Sequence, residues 1–339
     1  MWLVHITRQE MEKEARYYEK IDSSTVRCGL CPHRCTIAEG KTGICGVRRN
    51  RNGTLYTMIY GEVSSVAMDP IEKKPLYHFY PGSSILSVGT VGCSFRCGFC
   101  QNYHISQNPE HPTKYYDPDE IVAIARENRS VGIAYTYSEP LIWHEWVIDT
   151  CRCAREAGFK NVFVTNGFIN PEPRTELLRY ADAFNIDLKS FSDEFYRKTV
   201  GGRLEPVLDT IEEISKREDI VLEVTTLVIP GYNDSDEEME QLTEWLSALS
   251  PDIPYHLSAY YPTYKFTAPA TPLPILQRME KIAKKRLNYV YLGNVSGESS
   301  SICANCGSML VQRFGYRIKV VNYRDGTCTS CGKPVPIKG

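Results

Sequence analysis

From about residue 85 to about residue 292 the chain repeats one pattern: a short apolar run, then a longer segment whose apolar residues recur on a helical period. The apolar runs predict strands at Ile85–Val91, Gly132–Tyr137, Asn161–Thr165, Ala183–Leu188, Ile220–Ile229, Tyr255–Tyr260 and Tyr289–Leu292. The segments between them predict helices near Asp119–Asn128, Pro140–Ala157, Pro171–Arg179, Pro206–Lys216, Ser235–Ser250 and Leu273–Arg286. Strands that alternate with helices imply a parallel sheet with right-handed crossovers. Six or seven such units in about 200 residues fit a full or partial α/β barrel. A doubly wound open sheet is the competing arrangement. It is weakened by the lack of a G-x-G-x-x-G after the first predicted strand.

Polar residues gather just after these strands. Glu139 follows the second, Asn166 and Gly167 follow the third, and Asp187 and Lys189 close the fourth. Taken singly, Asn166–Gly167 reads as a turn and Asp187–Lys189 as a solvated pair. In an α/β barrel, however, the C-terminal strand ends form the active face, so these groups converge on one mouth. The first strand runs into VGCSFRCGFCQNYHI, residues 91–105, which places Cys93, Cys97 and Cys100 within eight residues. A structural zinc knuckle would need a fourth ligand, for which His104 is the nearest candidate. Three thiolates on a four-iron cluster instead leave one iron open, as a catalytic zinc site keeps one position open. Gly92 and Gly98 let the loop bend tightly around such a cluster.

The chain has 339 residues, 42% of them hydrophobic and 24% charged, with a net charge of −2. This is the composition of a globular protein with no overall electrostatic reason to seek nucleic acid or an anionic membrane. The first residues lack a basic signal-peptide start, and no apolar run approaches the roughly 20 residues of a membrane span. A cytoplasmic location is therefore expected. There are thirteen cysteines, an odd number that argues against a disulfide framework. Besides the trio, Cys303, Cys306, Cys328 and Cys331 form paired C-x-x-C knuckles, the pattern of a zinc ribbon. Residues 303–339 carry six Lys or Arg against one Asp, which offset the −2 of four thiolates on Zn²⁺. At the other end, Cys28, Cys31, Cys35 and Cys45 suit either zinc or an iron–sulfur cluster, with His33 between them as a turn residue or a substitute ligand. The resulting division is an N-terminal helix and Cys-rich module over residues 1–80, a barrel over 81–295 and a zinc-ribbon-like module over 296–339.

C-x-x-x-C-x-x-C with Phe99 before its last cysteine resembles the signature of radical S-adenosylmethionine (SAM) enzymes. That resemblance implies a [4Fe–4S] cluster on Cys93, Cys97 and Cys100, whose open iron is chelated by the amine and carboxylate of SAM. Reductive cleavage of the sulfonium would then give methionine and a 5′-deoxyadenosyl radical that abstracts hydrogen from substrate. Tyr137–Ser138–Glu139–Pro140 sits where the family often has Gly-Gly-Glu-Pro, which implies that Ser138 and Glu139 meet the SAM amine. IDLKS resembles the D-x-K of glycyl-radical-enzyme activases and implies that Asp187 and Lys189 hold the methionine end. VTNGF resembles their D-T-N-G. Thr165 and Asn166 match it, while Val164 replaces the Asp on which their cation site depends. VIPGYND, residues 228–234, resembles their loop after the fifth strand.

CGLCPHRC, CGVRRN, KKPLYHFYPGS, GCSFRCGFCQNYHIS and YHLSAYYPTYK together resemble the radical SAM component of the AmmeMemoRadiSam system, a relative of pyruvate formate-lyase activase. The partners this implies are a reducing electron donor and Memo-like and AMMECR-like proteins. The substrate is not implied. Two sub-cases stand beside the general reading. One is a glycyl-radical-enzyme activase. The other is a tRNA-modifying enzyme, suggested by the basic C-terminal module and by residues 26–53, where six Lys or Arg face one Glu. The net charge of the whole chain argues against a nucleic-acid partner. A metal-binding scaffold is the non-enzymatic alternative, but an unsaturated iron beside Glu139, Asp187 and Lys189 would serve a scaffold nothing.

Overall fold

In the computed structural model, which describes residues 13–339, the seven apolar runs are neighbouring parallel strands. They are β2 (Ser84–Gly89), β3 (Gly132–Tyr135), β4 (Lys160–Thr165), β5 (Ala183–Asp187), β6 (Val221–Val228), β7 (Tyr255–Ala259) and β8 (Val290–Gly293). An eighth strand, β1 (Ser65–Pro70), pairs antiparallel with β2 and was not foreseen, because SVAMDP has neither an apolar run nor clean alternation. The order across the sheet follows the chain from β1 to β8, and these two strands are its edges. The architecture is thus α/β, a partial barrel with six crossovers. Every residue of β3 is buried, as expected for parallel strands covered on both faces.

The crossovers carry α1 (Pro118–Glu127), α2 (His144–Glu156), α3 (Pro171–Leu178), α4 (Glu205–Ser215), α5 (Asp236–Leu249) and α6 (Leu273–Ala283). The helix predicted from Pro140 begins instead as a 3₁₀ turn, Pro140–Trp143. Pro140 has no N–H to lose at a helix start, and the Glu139 side chain accepts the Leu141 N–H at 3.0 Å. The core is aromatic: Tyr135, Phe163 and Phe184 stack across β3, β4 and β5 at 5.0 Å each. Ser235 caps α5 by accepting the Glu238 N–H at 3.2 Å. Glu238 in turn accepts from Ser190 Oγ (2.5 Å) and Phe191 N–H (2.7 Å), which ties the start of α5 to the chain just beyond Lys189. Ser235→Ala removes that cap and is expected to lower stability by about 1 kcal/mol, read as a lower urea midpoint at unchanged slope.

The N-terminal helix expected within residues 1–80 is not found among the described residues of that stretch, where Lys13–Glu14 and Tyr18–Lys20 are short strands; residues 1–12 lie outside the described residues. The Cys-rich module is built of small antiparallel sheets. It is fastened to α2 by Arg48, whose guanidinium meets Glu145 at 2.9 and 3.1 Å with both side chains buried. The C-terminal module is a three-stranded sheet of β9 (Ser301–Ile302), β10 (Met309–Phe314) and β11 (Arg317–Val320). Its buried Arg313 donates to Ser301 Oγ and to the Tyr77 carbonyl. No helix among the described residues is long and apolar enough to cross a membrane.

Candidate active site

The trio sits on the loop that leaves β2. At Gly92 the backbone takes φ +85°, and a Cβ there would lie 2.8 Å from the Cys45 carbonyl oxygen. Neighbouring elements clamp the loop from both sides. The Arg96 N–H donates to Val200 O (2.8 Å), and the Lys265 N–H donates to Gly98 O (2.9 Å). Phe99 is buried edge-on against Phe266 with ring centres 5.4 Å apart. It therefore stiffens the loop from the side of the chain after β7. The Phe95 N–H bonds to Cys93 Sγ at 3.3 Å, and Ser106 Oγ lies 3.1 Å from Cys100 Sγ. Burial pushes the Cys97 thiol up to about 12, with the nearby Lys189 ammonium pulling the other way. Thiolates so buried need a bound cation to hold their charge. His104 rests edge-on against His111 with ring centres 5.8 Å apart. Among the described residues it does not join the trio around a single ion.

The strand ends bring the predicted partners to this loop. Glu139, only 2% exposed, accepts from Thr165 Oγ1 (2.6 Å), the Asn166 N–H (2.9 Å) and the Leu141 N–H (3.0 Å). Burial outweighs those bonds and pushes its carboxyl up to about 7. Asn166 Nδ2 donates to Ser94 Oγ at 3.1 Å and lies 3.9 Å from Cys93 Sγ, so Glu139, Thr165 and Asn166 form one strap onto the trio's loop. Lys189 Nζ bonds Asp187 Oδ2 at 3.0 Å. Burial opposes the Lys189 charge, but Asp187 and Cys97 more than compensate and raise it above the ordinary lysine value.

Tyr137, where the resembling motif often has glycine, takes the left-handed conformation, at φ +71°. Its hydroxyl donates to Asp69 Oδ2 (2.6 Å), Lys74 Nζ lies over its ring, and Asn102 Nδ2 donates to its carbonyl (2.6 Å). These contacts hold a backbone that most residues avoid. Beside it, Ser138 Oγ is buried with no hydrogen-bond partner among the described residues. An orphan hydroxyl in a cavity wall calls for a polar ligand.

Cys93, Cys97, Cys100, Ser138, Glu139 and Lys189 all face one open cavity of about 1160 Å³. Sequence reasoning missed His256 on its wall and the pair behind it. There His256 Nε2 meets Glu223 Oε2 at 2.7 Å, and Glu223 also accepts the His78 N–H (2.7 Å). The signal was a Glu, the one charged residue in β6. Ser94 and Asn102 went unnoticed because their partners, Asn166 and Tyr137, lie 72 and 35 residues away, and Lys74 because the Tyr137 ring beneath it lies on another segment.

The C-terminal quartet is of another kind. Cys303 and Cys331 sulfurs are 3.9 Å apart and those of Cys306 and Cys328 are 3.8 Å apart, all four within 4.8 Å of one another. With metal–sulfur bonds of about 2.3 Å, a tetrahedron has edges of about 3.8 Å. The Ser308 hydroxyl and N–H lower the Cys306 thiol into the thiolate range. The site fits one ion of the zinc type and leaves no open position. We expect Cys306→Ser to lower zinc content and to make the module after residue 296 cleavable by trypsin under native conditions. Unchanged zinc and protease resistance would exclude a structural ion there.

Residues 87–246 match the radical SAM superfamily model. An uncharacterised protein of Methanocaldococcus jannaschii is 43% identical over 334 residues, covering 96% of this chain and 99% of that one. The 4-hydroxyphenylacetate decarboxylase activating enzyme of Clostridium scatologenes is 28% identical over 163 residues, covering 45% of this chain and half of that enzyme. A crystal structure of a radical SAM methyltransferase from Sphaerobacter thermophilus superposes with a TM-score of 0.50 at 18% identity, covering 88% of this chain and 81% of that one. That likeness concerns the fold alone.

Proposed function

Because the chain belongs to the radical SAM superfamily, we propose that its cavity binds SAM against a [4Fe–4S] cluster on Cys93, Cys97 and Cys100 and uses it to abstract hydrogen from a second molecule in the same cavity. The observation that carries this is the shared cavity wall: three thiols on one clamped loop, an orphan Ser138 hydroxyl, a buried carboxylate and a buried ammonium. Bound there, the cluster and SAM would supply the one-electron cleavage that yields a 5′-deoxyadenosyl radical. The chain's own residues bind and orient. Glu139 and Ser138 suit the N–H groups of the methionine amine, and Lys189 suits the carboxylate in exchange for part of its bond to Asp187. Thr165 and Asn166 keep Glu139 in place, and Phe99 with Phe266 closes the loop's outer side to water.

The long motifs support placing the enzyme as the radical component of the AmmeMemoRadiSam system, with Memo-like and AMMECR-like proteins as partners. The likeness to a decarboxylase activating enzyme favours a second reading, in which the hydrogen donor is a glycine of a partner enzyme. Anaerobic protein with reconstituted clusters should release 5′-deoxyadenosine from SAM on reduction with dithionite, and deuterium from a labelled substrate should appear in it. No 5′-deoxyadenosine from protein that holds its iron would refute the proposed function. A glycyl radical signal in an added partner enzyme would select the activase reading.

A further inference from the structure

The thiol group that this function leaves idle lies directly against the trio's loop. His33, between Cys31 and Cys35, bonds the Ser94 carbonyl through Nε2 at 2.8 Å. The Cys45 carbonyl packs beneath Gly92, next to Cys93. Asn170 fastens the same segment from the far side, with its N–H on Leu30 O (3.1 Å) and its Nδ2 on Gly29 O (2.7 Å). Cys28 and Cys45 are buried, and Cys31 and Cys35 are half-buried.

Three observations indicate what these thiols hold. First, the Cys35 sulfur accepts a backbone N–H, that of Ile44 at 3.5 Å, as the Cys93 sulfur accepts that of Phe95 at 3.3 Å. Such bonds favour the thiolate, the form that ligates metal. Second, the spacing differs from that of the C-terminal quartet. Among the described residues the N-terminal thiols, like the trio, do not form a set of three or more ligand atoms within 4.8 Å of one another, as the C-terminal quartet does. Third, Arg48 is 1% exposed, its charge interacts with Cys28 and Cys45, and its Nε–H has no acceptor among the described residues. The anionic sulfurs of a cluster would supply that acceptor.

We propose that Cys28, Cys31, Cys35 and Cys45 hold a second iron–sulfur cluster, which takes one electron from a low-potential one-electron donor and passes it to the trio's cluster, returning to its oxidised state. The relay rests on the proposed radical chemistry for the electron's destination. The metal assignment does not. The test uses full-length protein with Cys93, Cys97 and Cys100 all replaced by alanine, purified without oxygen. It should be brown, contain about four irons and one zinc per chain, and show an S = ½ signal after dithionite. A colourless variant with two zinc ions and no iron would overturn the assignment. Adding Cys35→Ser should remove that iron while zinc and far-UV circular dichroism stay unchanged; retained iron would exclude Cys35 as a ligand. Reduced unsubstituted protein should show two spins broadened by each other, and two independent signals would overturn the relay. Iron in the trio variant stands even if the unsubstituted protein never cleaves SAM, so the two proposals fail separately.

Discussion

Protein with Cys93, Cys97 and Cys100 replaced by alanine is expected to lose all SAM cleavage while keeping its fold and its C-terminal metal. The three thiols approach one cavity on a loop held mainly by main-chain bonds, Arg96 to Val200 and Lys265 to Gly98, and by Phe99 against Phe266. None of those contacts needs a thiol. The C-terminal quartet is a separate set of four thiols, within 4.8 Å of one another, that shares no residue with the trio's loop. The measurement is 5′-deoxyadenosine formed under dithionite, with circular dichroism and zinc content as controls. Formation at the unsubstituted rate would refute the trio as the site of cleavage. Loss of the circular dichroism signal would show that the thiols hold the fold.

Lys189→Met is expected to weaken SAM binding by roughly 10- to 150-fold, since a charge-assisted hydrogen bond contributes about 1.5–3 kcal/mol. Lys189 has 17% of its side chain exposed, so the loss is not diluted as it would be at an open surface. Iron content should not change, because Lys189 is not a ligand. Glu139→Gln differs. Its new amide N–H₂ would face either the Thr165 hydroxyl and Leu141 N–H or the Asn166 N–H, so the strap onto Ser94 should loosen along with SAM binding. Isothermal titration of SAM into anaerobic protein decides, and unchanged affinity in Lys189→Met would remove it from the pocket.

Glu139 also sets a pH dependence of two signs. Its carboxyl sits at about 7, above the ordinary 4.5. In the cofactor-free protein its contribution to stability is therefore fully present below pH 4.5 and lost as pH rises through about 7. An N–H of SAM's iron-bound amine is accepted best by the ionised carboxylate, so affinity should rise over the same window and level off above it. A flat affinity between pH 5.5 and 8 would mean that Glu139 does not meet the amine.

The alternation of runs and helices was legible in the chain because it follows from local chemistry. Parallel strands covered on both faces must be apolar nearly throughout, as β3 is, and covering helices must be apolar on one stripe. The cysteine groups were legible for the same reason, since each lies in a short stretch of chain. Tertiary structure decided what joins distant segments. It added β1, whose residues look like a loop, and turned the start of the Pro140 helix into a 3₁₀ turn around Glu139. It brought Asn166 to Ser94, 72 residues away, and His33 to the same loop, 61 residues away. It paired Glu223 with His256 on adjoining strands, and it spaced the C-terminal thiols for one ion but the N-terminal thiols more widely. None of these contacts has a local sequence pattern, because each depends on strand register and on where a crossover returns the chain, which only the packed sheet settles.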